Sequence, residues 1–166
     1  MTVDYSWHAA PVPGDLTVTQ VYGYLLCPQT GRVLVQQYED DGTVNLPGGK
    51  PEAGEGLAAT LAREAFEESQ VLVRDPVYLG YQQVTRPGQA PYAQVRMTAV
   101  IGQFAPRAPD VDGGRLSRRL MTPLGDAPAV LGWGQPAVLQ AAAAAEVARR
   151  RWRLPVDAPA PAGYAD

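Results

Sequence analysis

The chain has 166 residues, of which 46% are hydrophobic and 19% charged, and its formal net charge is −3 at pH 7. This length is typical of one domain, and the composition predicts a packed core. No apolar run approaches the ~18 residues of a membrane span, and no basic face indicates a dedicated nucleic-acid binder. A single cysteine excludes an internal disulfide, and a single histidine argues against a histidine-rich metal site or a Ser-His-Asp triad. We therefore expect oxygen ligands for any metal. The N-terminus lacks the pattern of a signal peptide, so we expect a cytoplasmic protein.

The first predicted elements form a β-hairpin. Residues 16–27 are rich in Val, Tyr and Leu, and residues 32–38 alternate as a second strand. Between them, residues 28–31 begin with proline and end with glycine, which indicates a turn. A second turn signature, Leu-Pro-Gly-Gly, follows at residues 46–49. Glycines there let the backbone approach a metal or a phosphate closely.

A helix is predicted next, and it carries a concentration of acidic residues. Apolar residues recur three and four positions apart, which is typical of one buried helical stripe. Glu64, Glu67 and Glu68 fall within about 100° of one another beside that stripe. Arg63 supplies one compensating charge, since it lies four residues before Glu67. The remaining negative charge suits a hard divalent cation such as Mg²⁺, while a solvated acidic helix face is the alternative.

The segment from residue 49 to residue 71 resembles the Nudix box, the signature of the Nudix (MutT-like) hydrolases. The box reads G-x5-E-x7-R-E-U-x-E-E-x-G-U, where U is an aliphatic residue. The matching residues are Gly49, Glu55, Arg63, Glu64, Ala65, Glu67, Glu68 and Val71. One position departs, because Gln70 replaces the second glycine. A helix should end there in a left-handed residue, which costs a non-glycine side chain roughly 1–2 kcal/mol unless the helix ends differently.

The resemblance implies a fold, an activity and a set of site residues. The fold would be α/β, an α/β/α sandwich with a mixed sheet around the loop-helix-loop of the box. The activity would be Mg²⁺-dependent hydrolysis of a nucleoside diphosphate linked to another moiety, such as a nucleoside triphosphate or ADP-ribose. The implied ligands of Mg²⁺ or Mn²⁺ are the backbone carbonyl of Gly49 and the carboxylates of Glu64, Glu67 and Glu68, which also count as catalytic. Glu55 and Arg63 would support this site. The partner would be a small-molecule nucleotide, without a stable nucleic-acid complex or a membrane, and the family suggests a homodimer.

Three alternative interpretations use the same residues. A P-loop at Gly49-Lys50 fails, because Val44 stands where an earlier glycine is needed and Pro51 where Ser or Thr is needed. Residues 54–59 fit a loose G-x-G-x-x-A dinucleotide fingerprint, but no strand leads directly into them. The third alternative is a Nudix-fold nucleotide-binding or sensor module without turnover. Such a module would be expected to lose metal ligands, which this chain retains.

The remainder of the chain predicts more strands and a second helix. Strand-like runs cover residues 71–74, 77–85, 93–104 and 116–121. The second helix is predicted at residues 136–153, with a proline in its first turn and arginines at its end. We expect residues 1–154 to form a single domain. The Pro- and Ala-rich tail, residues 155–166, is predicted to be disordered.

Candidates outside the box carry weaker signals. Asp110 and Asp112 lie in a glycine-containing loop, from which a carboxylate could reach the metal or deprotonate the attacking water. We prefer Asp112 as the catalytic residue, and the alternative is that both aspartates only cap turns. Tyr24, Arg86 and Trp133 are candidate substrate-binding residues. Trp133 lies between two glycines and could stack on a base, although the favoured interpretation is that it fills the core beside the last helix.

Overall fold

The structure, a computed structural model, describes residues 2–166. Its strands are β1 (Asp4–His8), β2 (Thr17–Leu26), β3 (Arg32–Tyr38), β4 (Val44–Asn45), β5 (Gly48–Gly49), β6 (Val71–Thr85), β7 (Tyr92–Phe104), β8 (Ser117–Pro123) and β9 (Gly163–Tyr164). Its helices are α1 (Leu57–Ser69), α2 (Ala127–Leu131) and α3 (Gly134–Val147), with a 3-10 turn at Leu124–Asp126 and a π-helical turn at Ala148–Trp152. Within residues 2–166, no helix is both long enough and apolar enough to cross a membrane.

The strands form one mixed sheet. Their order is β1-β6-β7-β2-β3-β8-β9, with β4 beside β3 and β5 beside β2. β2 and β7 run parallel, and the other pairs are antiparallel. Because side chains alternate along a strand, Val21 and Leu25 of β2 enter one core, whereas Tyr24 and Leu26 enter the other.

Helices cover both faces of this sheet. Leu61 and Ala65 of α1 pack into the core on one face, and α2 and α3 contribute Leu131 and Ala144 to the core on the other. Gly23 on β2 allows α1 to lie close, since a Cβ at this residue would be 2.5 Å from Leu61 Cδ1. The predicted α/β/α sandwich with a mixed sheet is confirmed.

The predicted strands agree with the structure in the centre of the sheet and differ at its edges. The runs at residues 71–74 and 77–85 form a single strand, β6, which is irregular at Asp75, where φ is +53°. Asp75 is held there by Arg151 Nε at 2.6 Å and Trp152 Nε1 at 2.7 Å. β1 and α2 were not predicted, because β1 is a partly exposed edge strand and α2 has only 5 residues.

The C-terminal segment differs most from its prediction. The helix predicted at residues 136–153 begins earlier, at Gly134, and its α-helical part ends at Val147. The tail predicted to be disordered instead follows the edge of the sheet. β9 pairs with β8, and Ala165 N donates to Arg119 O at 2.9 Å. Composition could not reveal this pairing, because the free edge of β8 supplies the hydrogen-bond partners of the tail.

Gln70, which departs from the Nudix box, forms the end of α1. It adopts the left-handed conformation that the box glycine would adopt, with φ 50° and ψ 43°. Its side-chain Nε2 donates to Glu67 O at 2.9 Å, and its Oε1 accepts from Ala108 N at 2.9 Å. The side chain is 7% exposed. Gln70 thereby ties the end of α1 to the loop between β7 and β8.

Gln70→Gly is expected to lower the free energy of unfolding by about 1 kcal/mol. Glycine relieves about 1 kcal/mol of left-handed strain, but it removes two buried hydrogen bonds of about 1 kcal/mol each. Arg153 provides the control, since it is exposed and also has a left-handed backbone conformation, with φ +53°. Arg153→Gly should gain about 1 kcal/mol in urea unfolding. Equal gains in both variants would contradict a stabilising role for the Gln70 amide.

Candidate active site

Arg63 connects the carboxylates around the start of α1. Its Nε and Nη2 donate to the two carboxylate oxygens of Glu55 at 2.9 and 3.0 Å. Its Nη1 donates to Glu64 at 2.8 Å and Glu67 at 3.1 Å, and its Nη2 donates to Lys50 O at 3.0 Å. The hydrogen bond from Arg63 is the main reason that the pKa of Glu55 is lowered to about 2. Arg63 thus fixes the preceding turn and orients two glutamates of the helix.

Glu68 and Glu64 are the more buried carboxylates of the site. Glu68 Oε2 accepts from Gln36 Nε2 at 2.6 Å and from Gly48 N at 3.3 Å, so that Oε1 is available to a further partner. Burial raises the pKa of Glu68 to about 8, and the charge of Glu64 contributes to the rise. Burial also raises the pKa of Glu64, which is 9% exposed. Both carboxylates are therefore partly withdrawn from water.

The glycine turn of β5 lies against these carboxylates. β5 pairs with β2, which places Gly49 opposite Val21 and Gly48 opposite Tyr22. A Cβ at Gly49 would lie 2.4 Å from Glu64 Oε1. Glycine at residue 49 therefore allows the Glu64 carboxylate to lie directly against the main chain of the turn.

The oxygen atoms gathered at this site are of the type that binds a hard divalent cation. Carboxylate and main-chain carbonyl oxygens are the ligands that Mg²⁺ prefers. Across residues 2–166, however, no group of three acidic, histidine or cysteine side chains converges as a ready ligand set. Arg63 is the physical reason, because it binds both Glu64 and Glu67. The predicted glutamates share one side of α1 without meeting at one point.

The loop between β7 and β8 brings an aspartate near the carboxylates. The charge of Asp110 contributes to the raised pKa of both Glu64 and Glu68, after the larger effect of burial, and the residue is half-buried. Asp112, the residue preferred from the sequence, is exposed, and its backbone N donates to Asp110 Oδ1 at 3.0 Å. Of the two loop aspartates, Asp110 is thus half-buried and acts electrostatically on both glutamates, whereas Asp112 lies in solvent.

A cavity of about 440 Å³ adjoins this site. Its lining residues are Tyr5, Tyr22, Val44, Asn45, Gln82, Gln94, Arg96, Gly132 and Trp133. Tyr22 connects the cavity with the carboxylates, since its pKa is raised by burial and also by the charge of Glu68. The Arg96 guanidinium carbon lies 4.9 Å from the centre of the Tyr22 ring and 5.2 Å from that of Trp133. A larger cavity, of about 720 Å³, lies beside α2 and α3 and has no lining residue from α1 or the glycine turn.

Of the three predicted substrate-binding residues, Trp133 lines the 440 Å³ cavity and the other two do not. Tyr24 is fully buried, and its hydroxyl donates to Gln140 Oε1 at 2.9 Å. Arg86 is exposed in the turn after β6, where it lies over the Tyr92 ring. Sequence reasoning missed Arg96. Its signal was available, because an arginine between Val95 and Met97, inside a largely apolar strand, is unusual.

Comparison with known proteins agrees with this geometry. The sequence profile of the NUDIX domain matches residues 18–125, whereas no curated protein matches the chain by sequence. Similar solved structures include a NUDIX hydrolase from Nitrosomonas europaea, with 19% identity over 81% of this chain and 91% of that chain and a TM-score of 0.58. The pyrophosphohydrolase BsRppH of Bacillus subtilis is 22% identical over 68% of this chain and 70% of that chain, with a TM-score of 0.54. The MutT protein of Bacillus halodurans is 18% identical over 73% of this chain and 78% of that chain, with a TM-score of 0.53. The chain therefore belongs to the Nudix hydrolase family.

Proposed function

We propose that this chain is a Mg²⁺-dependent pyrophosphohydrolase acting on a nucleoside diphosphate linked to another moiety, such as a nucleoside triphosphate or ADP-ribose. The observation that carries the proposal is the pair of carboxylates formed by the buried Glu64 and the half-buried Glu68, beside a glycine turn and next to a cavity lined with aromatic rings. Buried charges destabilise a protein unless a partner compensates them. A divalent cation carrying a pyrophosphate would be such a partner.

The residues of the site would divide the work of hydrolysis. The residues that would hold Mg²⁺ or Mn²⁺ are Glu64, Glu67, Glu68 and, through its carbonyl oxygen, Gly49. The metal would neutralise the pyrophosphate oxygens and acidify the attacking water. Arg63, anchored by Glu55, would position two of the glutamates. The oxygen of the attacking water would bond to phosphorus while the bridging P–O bond breaks. Asp110 would accept the proton that this water loses.

A substrate panel tests the proposal. Initial rates of product release would be measured with nucleoside triphosphates, ADP-ribose, nucleotide sugars and dinucleoside polyphosphates, in Mg²⁺ and in EDTA, with products identified by mass spectrometry. We expect Mg²⁺-dependent cleavage of at least one class and none in EDTA. Nucleotide binding without cleavage of any class would instead support a Nudix-fold binding or sensor module.

Mg²⁺ together with a nucleotide product is expected to raise the melting temperature. Ligands present at 100 times their Kd stabilise the native state by about 2.7 kcal/mol, which corresponds to about 5–10 °C for a domain of this size. The double variant Glu64→Gln/Glu68→Gln should lose this shift, because its side chains no longer supply carboxylate ligands. Melting would be followed by differential scanning fluorimetry. A wild-type melting temperature that is independent of Mg²⁺ would contradict the metal site.

A further inference from the structure

An arginine with incomplete hydrogen bonding lies at the 440 Å³ cavity. Arg96 of β7 is 2% exposed, and its Nε donates to Gln140 Oε1 at 3.0 Å. Among residues 2–166, its Nη1 is the one buried side-chain nitrogen or oxygen without a hydrogen-bond partner. A buried N–H group without an acceptor costs about 1–3 kcal/mol. Arg96 therefore holds a donor whose use by a ligand would recover that free energy.

The arginine also fixes the polarity of a chain of amides that leads back to the cavity. Arginine can only donate hydrogen bonds, so Gln140 must direct its oxygen toward Arg96. Gln140 Nε2 then donates to Gln82 Oε1 at 2.9 Å. The amide nitrogen of Gln82, a lining residue, remains to donate to a ligand. Two lining residues thus keep an unused donor, Arg96 Nη1 and Gln82 Nε2, and a third, Gln94, keeps an unused acceptor, because its Nε2 donates to Gln20 Oε1.

The aromatic rings of the cavity suit a planar ligand. The Tyr22 and Trp133 ring centroids are 5.9 Å apart and the rings are inclined at 64°. Trp133 is half-buried and stands between Gly132 and Gly134, whose φ angles are +67° and +69°. Both glycines adopt positive φ, which places Trp133 in a tight turn between the end of α2 and the start of α3. A base that enters beside Tyr22 and Trp133 would lie next to the guanidinium that these two rings enclose.

We infer that this cavity binds the base of the substrate nucleotide and selects a 6-oxopurine, such as guanine or hypoxanthine, over adenine. A 6-oxopurine presents two adjacent acceptors, O6 and N7, whereas adenine presents N7 beside an amino donor. The donors of Arg96 and Gln82 match O6 and N7 of a 6-oxopurine. Neither donor can form a hydrogen bond with the amino group of adenine, which is itself a donor. The inference rests on the proposed function. It agrees with the position of Tyr22, which pairs with Gly48 of the glycine turn, so that a base bound beside Tyr22 would lie next to the carboxylates.

Binding measurements without turnover test this inference. In EDTA, the affinities of GMP, IMP, AMP, UMP and inorganic phosphate would be determined by isothermal titration calorimetry. We expect GMP and IMP to bind at least about tenfold more tightly than AMP, as one well-matched base edge provides. AMP binding as tightly as GMP would overturn the inference, and so would tighter binding of UMP. Inorganic phosphate binding as tightly as GMP would assign the cavity to an anion instead.

Gln82→Glu tests the second donor directly. The variant keeps one oxygen for Gln140 Nε2 and replaces the outward amide nitrogen by an acceptor. We expect it to lose at least about tenfold in GMP affinity and much less in AMP affinity. The matched control is Gln89→Glu, because Gln89 is exposed in the turn between β6 and β7 and should retain wild-type affinities. The wild-type ratio of GMP to AMP affinity decides the question even where the variant does not fold.

The two proposals can fail separately. Metal-dependent cleavage at equal rates for all bases would leave the proposed function standing and remove the base selectivity. Selective binding of GMP with no cleavage of any nucleotide would leave the base site standing and remove the hydrolytic function.

Discussion

Glu68→Gln is expected to lower kcat by about 10³-fold or more, which corresponds to ~4 kcal/mol of transition-state stabilisation. The substitution changes the side-chain volume little and removes the charge that would bind the metal. Steady-state rates would be measured at saturating Mg²⁺ with the best substrate of the panel. A variant that keeps more than about a tenth of the wild-type rate would contradict the role of Glu68 in metal-assisted catalysis.

The hydrogen bonds around Glu68 indicate that this variant keeps its fold. Gln36 Nε2 and Gly48 N both donate to Oε2, so the single oxygen of a glutamine can accept both bonds. The pKa of Glu68 is raised by burial to about 8. When the pKa of a carboxyl group is higher in the folded than in the unfolded protein, the folded protein loses stability as the pH rises above the unfolded-state pKa, here about 4.3. At pH 7 without metal, the neutral glutamine avoids that loss, and the melting temperature should not fall.

Glu52→Gln is the matched control. Glu52 belongs to the same acidic segment and lies 3.8 Å from Arg63 Nε, but its side chain is 70% exposed. An exposed ion pair of this length contributes little, so kcat should stay within about twofold of the wild type. A comparable loss of kcat in Glu68→Gln and Glu52→Gln would indicate that kcat depends on the total charge of the acidic segment and that Glu68 has no particular role.

The sequence was sufficient for the elements whose pattern is local. β3 lies at the residues predicted for it, and β2 and β7 each match their predicted run within one residue, since alternation and turn residues report directly on a half-buried strand. The box glutamates were also found locally, because their chemistry is spaced along a single helix. The tail could not be predicted in the same way. Its short strand β9 depends on an edge of β8, which lies about 40 residues earlier in the chain.

The cavity illustrates why the substrate site was less predictable. Tyr22 lies directly opposite Arg96 only because β2 and β7 pair in parallel, and Trp133 reaches them from the segment before α3. Periodicity tells which face of its own strand a residue occupies, and says nothing about the strand next to it. Tyr24 shows the consequence, since it shares a face with Tyr22 but lies fully buried beneath α3.

The sequence placed Asp110 and Asp112 in the same loop and favoured Asp112, and the loop conformation distinguishes them. Asp110 N donates to Arg115 O at 2.9 Å, and Gly114 N donates to Asp110 O at 2.7 Å, which closes the loop into a tight turn. Arg115 is held in place by Asp40 at 2.7 Å. In this turn Asp110 is half-buried and its charge acts on Glu68, whereas Asp112 is exposed to solvent.

Asp110→Asn is therefore expected to lower kcat about 10²-fold with little change in KM, because a positioned proton acceptor contributes about 10²–10⁴-fold to such a reaction. Asparagine can keep the acceptor for Asp112 N, so the turn should survive the substitution. Asp112→Asn is the matched control, and its kcat should stay within about twofold of the wild type, as expected for an exposed carboxylate outside the site. Equal losses in both variants would mean that the conformation of the loop is what matters. An unchanged kcat in Asp110→Asn, beside a reduced kcat in Asp112→Asn, would return the proton transfer to Asp112, and unchanged rates in both would assign it to a glutamate of α1.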